Sequence, residues 1–328
     1  MSDLLLVQNL RIGFPAPGGG SGSIFPVDGV ELRLGRGETL ALVGESGCGK
    51  SLTALALLGL VPHPGRIARE SRIVLDHVDL LSLGAEAIRR IRGRRIGIVF
   101  QDASTSLNPV LSVGAQVREA VAAHRPLSRR EAKARALELL REAEIPDPAA
   151  RYASFPHELS GGLRQRVMIA IALAGEPDLL IADEATTALD VTVQAQILEL
   201  LDRLRAERGM AVLLITHDLG IAAGRADRVA VMYAGQIVEE APTGRLFAAP
   251  AHPYTRALFR AIPRITGTVA RLANIPGGVP QAVAWPTGCR FHPRCTEALA
   301  RCASQVPPVA GVAADHAARC WLAERPDR

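Results

Sequence analysis

The run Gly44-Glu45-Ser46-Gly47-Cys48-Gly49-Lys50-Ser51 fits the pattern G-x-x-x-x-G-K-[ST] at every fixed position. Glycines let a backbone curl so that successive N–H groups point inward at phosphate oxygens, with the positive end of a following helix behind them. Lys50 then reaches the β- and γ-phosphates, Ser51 offers its hydroxyl to Mg²⁺, and Cys48 contributes only its backbone. Only two lysines, Lys50 and Lys133, occur in the 328 residues, and one stands where the pattern needs it.

Binding a phosphate hydrolyses nothing by itself. A metal-holding acid and a group to activate water are also needed. Leu179-Leu-Ile-Ala-Asp183-Glu184 offers both: four apolar residues predict a buried strand, with Asp183 at its end for the Mg²⁺ sphere and Glu184 beside it as general base.

Leu159-Ser160-Gly161-Gly162-Leu163-Arg164-Gln165-Arg166 resembles the signature motif of ATP-binding cassette ATPases and precedes the acidic strand, as in that family. The resemblance implies that Ser160, Gly161, Gly162 and Gln165 close over the γ-phosphate held by a second ATPase subunit, so that two domains sandwich two nucleotides head to tail. It further implies that Gln101 senses Mg²⁺ and the attacking water, that His217 contacts the γ-phosphate and supports Glu184, and that Ala188-Leu189-Asp190 communicates across the dimer. For the aromatic that stacks on adenine, Phe25 is the candidate and Phe14 the alternative.

Three further stretches, Gln101 to Pro109, Asp190 to Gln196 and His252-Pro-Tyr-Thr-Arg-Ala-Leu258, resemble the ATPases of oligopeptide, dipeptide and nickel importers. That subgroup more often has Pro at Ala103 and Met at Leu163, neither of them a nucleotide-contacting position. The resemblance runs from Leu4 to Cys320. It implies an ATP- and Mg²⁺-dependent ATPase at the cytoplasmic face of the inner or plasma membrane, paired with a second ATPase subunit, a sister chain in preference to itself. Two membrane permease subunits and an extracytoplasmic solute-binding protein would complete the importer.

Cys289, Cys295, Cys302 and Cys320 are spaced C-x5-C-x6-C-x17-C in a turn-rich tail. Four thiolates suit tetrahedral Zn²⁺ or an iron–sulfur cluster, His292 and His316 allow a Cys/His zinc site, and inert cysteines are a further alternative. The spacing lacks the C-x-x-C pairs of zinc ribbons, and the subgroup's tail resembles an iron–sulfur module, which favours [4Fe–4S] over zinc.

The elements that must position these residues are legible as alternating strands and helices. Strands are expected at 4–10, 27–34, 38–43, 72–75, 95–100, 179–183 and 211–216, with a hairpin over 228–240. Helices are expected at 52–58, 85–92 and 191–208, the last ended by Gly209, and Ser128-Arg-Arg-Glu131 reads as a capping box. Residues 13–23 read as a loop. The predicted fold is α/β, a mostly parallel sheet plus an antiparallel β subdomain, with a helical subdomain inserted at about 112–173. The nucleotide-binding domain spans 1–250 and a small Cys-rich module 251–328.

The formal charge of +5 comes from arginines spread along the chain, so no nucleic-acid partner is expected. A guanine-reading Asn-Lys-x-Asp is absent. No apolar run approaches the ~18 residues of a membrane span. No secretory signal is read at Met1-Ser2-Asp3, so a reducing cytosol is expected, which argues against disulfides.

Overall fold

The computed structural model describes residues 3–16, 22–187, 189–261 and 275–323. The chain divides into two compact units, one of residues 35–38 and 82–214, the other of residues 3–34, 39–81 and 215 onward.

In the first unit, Leu179–Asp183 is buried at every position and pairs in parallel with Ile96–Val99, in register from Ile96 opposite Leu179 to Val99 opposite Ala182. A strand covered on both faces has to read as a continuous apolar run, and this one does. The strand Ala211–Thr216 lies on its other side, where the Ala211 N–H donates to Asp178 O at 2.8 Å. Helices Val113–His124, Arg129–Glu142 and Gly161–Ala172 pack on one another. Ser128 and Glu131 form the reciprocal capping box that the sequence predicts. Arg166, almost wholly buried, ties helix Gly161–Ala172 to the end of helix Arg129–Glu142 by donating to Ala143 O at 3.2 Å and Glu144 Oε2 at 2.5 Å. Helix Val191–Arg208 starts on the Asp190 cap and stops at Gly209, whose φ of 63° lies in the left-handed region that favours glycine.

The second unit carries the antiparallel sheet, in the order Ser23–Gly35, Asp3–Pro15, Arg72–Leu75, Val78–Asp79, with Arg66–Ile67 also paired to Asp3–Pro15. The first two strands outrun their predicted limits because pairing continues into the glycine-rich stretch. Ile12 opposes Ile67 and is fully buried, so tertiary contact overrides the local turn signal.

The same unit holds Thr39–Val43 in parallel with Arg228–Tyr233. Beyond Arg228–Tyr233 come Gln236–Pro242, then His316–Ala318 and Ala310–Ala313, all antiparallel. One hydrophobic cluster joins Val43, Tyr233 and Val231 to Tyr254 and Phe291 from the C-terminal region, with Cys289 and Cys295 packed against it. Among the described residues no helix is long and apolar enough to cross a membrane.

Candidate nucleotide site and cysteine cavity

The phosphate loop links the buried strand Thr39–Val43 to the helix Lys50–Leu57, the strand, loop and helix order that its chemistry requires. Two glycines are dictated by space as well as by φ. A Cβ on Gly44 would stand 2.2 Å from Met232 O, and one on Gly49, at φ 113°, would meet Met232 Cε at 2.7 Å. Lys50 is 4% exposed, and its Nζ donates to Gly44 O at 2.8 Å and Glu45 O at 3.2 Å, which folds the side chain back along the loop. Cys48 is buried and its thiol pKa is raised by burial, with Lys50 acting against the shift. Its carbonyl accepts from Gly235 N–H at 2.9 Å, and its Sγ lies 4.0 Å from Lys50 Nζ. Ser46, Gly47 and Ser51 line the same loop, with both serines exposed at its surface. His217, in this unit, is exposed directly after the strand Ala211–Thr216, beside the Asp218 cap of helix Leu219–Arg225.

The other predicted catalytic residues lie in the first unit. Asp183 ends its strand at 7% exposure. Glu184 follows with φ 48°, a left-handed conformation that costs a non-glycine residue about 1 kcal/mol or more. In that turn, Glu184 Oε2 accepts from Gln101 Nε2 at 3.1 Å and from Thr187 Oγ1 at 3.3 Å. Gln101 and Glu184 are thus brought together although 83 positions separate them.

Ser160 caps helix Gly161–Ala172 by accepting from Leu163 N–H at 3.4 Å, so the signature residues do open a helix. Both glycines face the following segment: a Cβ on Gly162 would stand 2.5 Å from Val193, and one on Gly161 3.4 Å from Leu189. Gln165 is buried and donates to Phe100 O at 3.4 Å, joining the signature helix to the residue before Gln101. Leu189 and Asp190 are described, while Ala188 lies outside the described residues.

Of the two adenine candidates, the Phe25 ring lies under the Arg11 guanidinium at 4.3 Å, and Phe14 packs over Gly65. The Phe25 carbonyl also accepts from Trp285 Nε1 at 3.1 Å.

Cys289, Cys295, Cys302 and Cys320 all line one cavity, with His252, Phe291 and His292. No disulfide joins them. Burial raises the Cys289 thiol to about 11, with the neighbouring sulfurs adding to the shift, and also raises Cys295 and Cys320. The four side chains at this cavity are therefore sulfur donors, of which Cys289, Cys295 and Cys320 are held toward the neutral thiol form. Among the described residues, however, no three His, Cys, Asp or Glu side chains are drawn together as metal ligands.

The profile described as ABC transporter matches residues 27–187, and that described as the oligopeptide/dipeptide transporter C-terminal region matches residues 238–302. A Brucella abortus protein, provisionally named a peptide import ATP-binding protein, is 51% identical over 318 residues, covering 97% of this chain and 94% of the relative. A Sinorhizobium fredii protein, provisionally named a peptide ABC transporter ATP-binding protein, is 50% identical over 294 residues, covering 89% of this chain and 88% of the relative. The chain belongs to the ABC transporter family.

Solved cassettes share the fold of this ABC protein. A dimeric ATP-binding cassette in a post-hydrolysis state, bound to ADP and Pi, superposes with a TM-score of 0.63 at 31% identity, covering 73% of this chain and 98% of that one. A Clostridium perfringens protein, part of the ABC transporter complex cbiONQ, gives 0.64 at 28%, covering 76% and 92%. The α/β cassette fold predicted from the sequence is thereby established, and the chain is an ATPase of the ABC family.

Sequence reading missed three features of this ABC ATPase. The left-handed turn at Glu184 has no sequence signal, because the residue is not one that favours it. Tyr254 accepts from Glu45 N–H at 3.1 Å, and Arg294 holds the Glu45 carboxylate through Nη1 at 2.8 Å and Nη2 at 3.2 Å. Tyr254 sits inside the His252–Leu258 stretch and Arg294 directly before Cys295, so both lay within runs already singled out, but for other reasons.

Proposed function

We propose that this chain is the ATPase subunit of an importer for short peptides or related solutes, working at the cytoplasmic face of the membrane. The observation that carries the reading is the conjunction of a complete phosphate loop with a Gln101–Glu184 hydrogen bond at the end of a buried acidic strand. The names of relatives near 50% identity and the matched C-terminal region support peptide cargo.

In this mechanism the Gly44–Ser51 loop and the Lys50 ammonium would hold the phosphates, and Ser51, Asp183 and Gln101 would hold Mg²⁺, which would supply neutralisation of the phosphate charge. Glu184 takes a proton from the attacking water, and its left-handed backbone and the Gln101 amide fix the carboxylate for that transfer. His217 steadies the γ-phosphate end. Ser160, Gly161, Gly162 and Gln165 complete the site of a second ATPase subunit, a sister chain, and closure is passed to two permease subunits supplied by a solute-binding protein. Lid-like closure of this kind excludes water and completes the catalytic set.

Cys289, Cys295, Cys302 and Cys320 would hold a [4Fe–4S] cluster, with Zn²⁺ as the alternative. When bound, such a group cross-links the four thiolates and fixes the fold of the tail. Anaerobically purified protein should show broad visible absorbance that is lost in Cys302→Ser. Colourless protein with stoichiometric zinc would assign zinc instead.

Purifying the tagged chain from its native membrane tests the whole reading. Co-purification of permease subunits and peptide-stimulated ATP hydrolysis are expected. Robust hydrolysis with no membrane partner would remove the importer.

A further inference from the structure

Glu45, the second residue of the phosphate loop, carries a carboxylate beside the place where a polyphosphate is to bind. Like charges at that range disfavour the ligand. The structure answers the problem from the far end of the chain. Arg294 takes both carboxylate oxygens in a fork at 2.8 and 3.2 Å, and its side chain is only 7% exposed. Its Nε donates to Pro276 O at 2.9 Å, and the guanidinium lies 5.7 Å from the Tyr233 ring centroid, so the fork is itself held in place. The Glu45 N–H is taken by Tyr254 Oη, and the Tyr254 ring packs on Tyr233 at 4.6 Å. Bidentate pairs of this kind combine charge with fixed geometry.

Arg294 is covalently part of the cysteine run. It precedes Cys295, its N–H donates to Phe291 O at 3.0 Å, and the Cys295 N–H donates to His292 O at 3.3 Å. Anything that reorders that turn moves the guanidinium that grips the loop.

We propose that Arg294, with Tyr254, is a positioning residue for the phosphate loop: the cysteine-bearing tail pins Glu45 and cancels its charge, and so sets the nucleotide affinity of the loop. The proposal rests on the reading of Gly44–Ser51 as the nucleotide site. It needs no metal at the thiols.

The test measures equilibrium MgATP binding to the full-length chain in a Glu184→Gln background, which keeps the nucleotide intact. Arg294→Gln should weaken binding roughly tenfold at low salt and less at high salt, because the exposed repulsion is screened. Adding Glu45→Gln to that variant should restore affinity to within about twofold, since the repelling charge is gone. A thermally stable Arg294→Gln protein with unchanged affinity would overturn the proposal, and so would a loss that Glu45→Gln does not rescue. If Arg294→Gln does not fold, Glu45→Gln alone carries the test: binding as tight as or tighter than the parent supports the proposal, and a roughly tenfold loss overturns it. Lys50→Ala separates the two readings. Its failure to weaken binding would sink the nucleotide-site assignment, whereas loss with Lys50→Ala and none with Arg294→Gln would sink only the role of Arg294.

Discussion

Gln101 donates its side-chain amide to Glu184 Oε2 at 3.1 Å, so the residue proposed to sense metal and water is coupled to the carboxylate proposed to activate that water. Glu184→Gln should therefore retain MgATP binding within about threefold, lower kcat by at least about 100-fold, and accumulate a closed dimer in size-exclusion chromatography. Undiminished hydrolysis would remove Glu184 as the base. Gln101→Ala keeps the carboxylate but removes one of its hydrogen-bond donors, and a drop in kcat of roughly tenfold with little change in affinity is expected.

Ser160 serves its own helix as a cap and, in the proposed assembly, the partner's nucleotide. Ser160→Ala should cost about 1 kcal/mol in chemical denaturation through the lost cap. In a heterodimer carrying the change on one subunit only, single-turnover hydrolysis should fail at the opposite site. Failure at the site of the altered subunit itself would contradict the head-to-tail arrangement.

Gly44→Ala tests the geometry of the loop independently of charge. The added methyl would stand 2.2 Å from Met232 O, a backbone atom that cannot rotate away. Loss of MgATP binding together with a lower Tm is expected, and a variant that binds normally would show that the loop can open without cost.

His252 gives a pH dependence whose sign is fixed by burial. It is fully enclosed, and desolvation, with Arg256 adding to it, pulls its pKa from 6.5 to about 3. Its Nδ1 accepts from Tyr254 N–H at 3.0 Å, which requires the neutral ring and caps helix Pro253–Arg260. The unfolded chain takes up this proton near pH 6.5 while the folded chain does not until about pH 3. The stability is thus fully present above the unfolded value and falls below it, by roughly 1.4 kcal/mol per pH unit for this one group. Urea unfolding between pH 7 and pH 5 should show that slope steeper in the parent than in His252→Asn, which keeps a cap acceptor without the titration. Identical slopes would exclude His252 as the source.

The elements legible in the sequence were those that local chemistry decides. Leu179–Asp183, Val191–Arg208 and the Ser128 box follow from apolar runs, periodicity and caps, and all three formed as read. The strand Asp3–Pro15 was underestimated because a pairing partner 55 residues away extends it, as with Ile12 opposite Ile67, and Ser23–Gly35 was underestimated because it runs alongside that lengthened strand. The site was legible in residue type but not in posture. No local signal bends Glu184 into the left-handed region, and none announces that Arg294 will reach Glu45.

That last pairing joins positions 249 apart, and its consequence is one of timing. During synthesis, at ~5–20 residues per second, the phosphate loop leaves the ribosome on the order of tens of seconds before the arginine that completes it. The strand His316–Ala318, which pairs with Gln236–Pro242, follows later still. A nascent chain therefore carries the loop with its Glu45 carboxylate unmatched until Arg294 has been made, and under the proposal above the full affinity of the loop for nucleotide waits on that one residue.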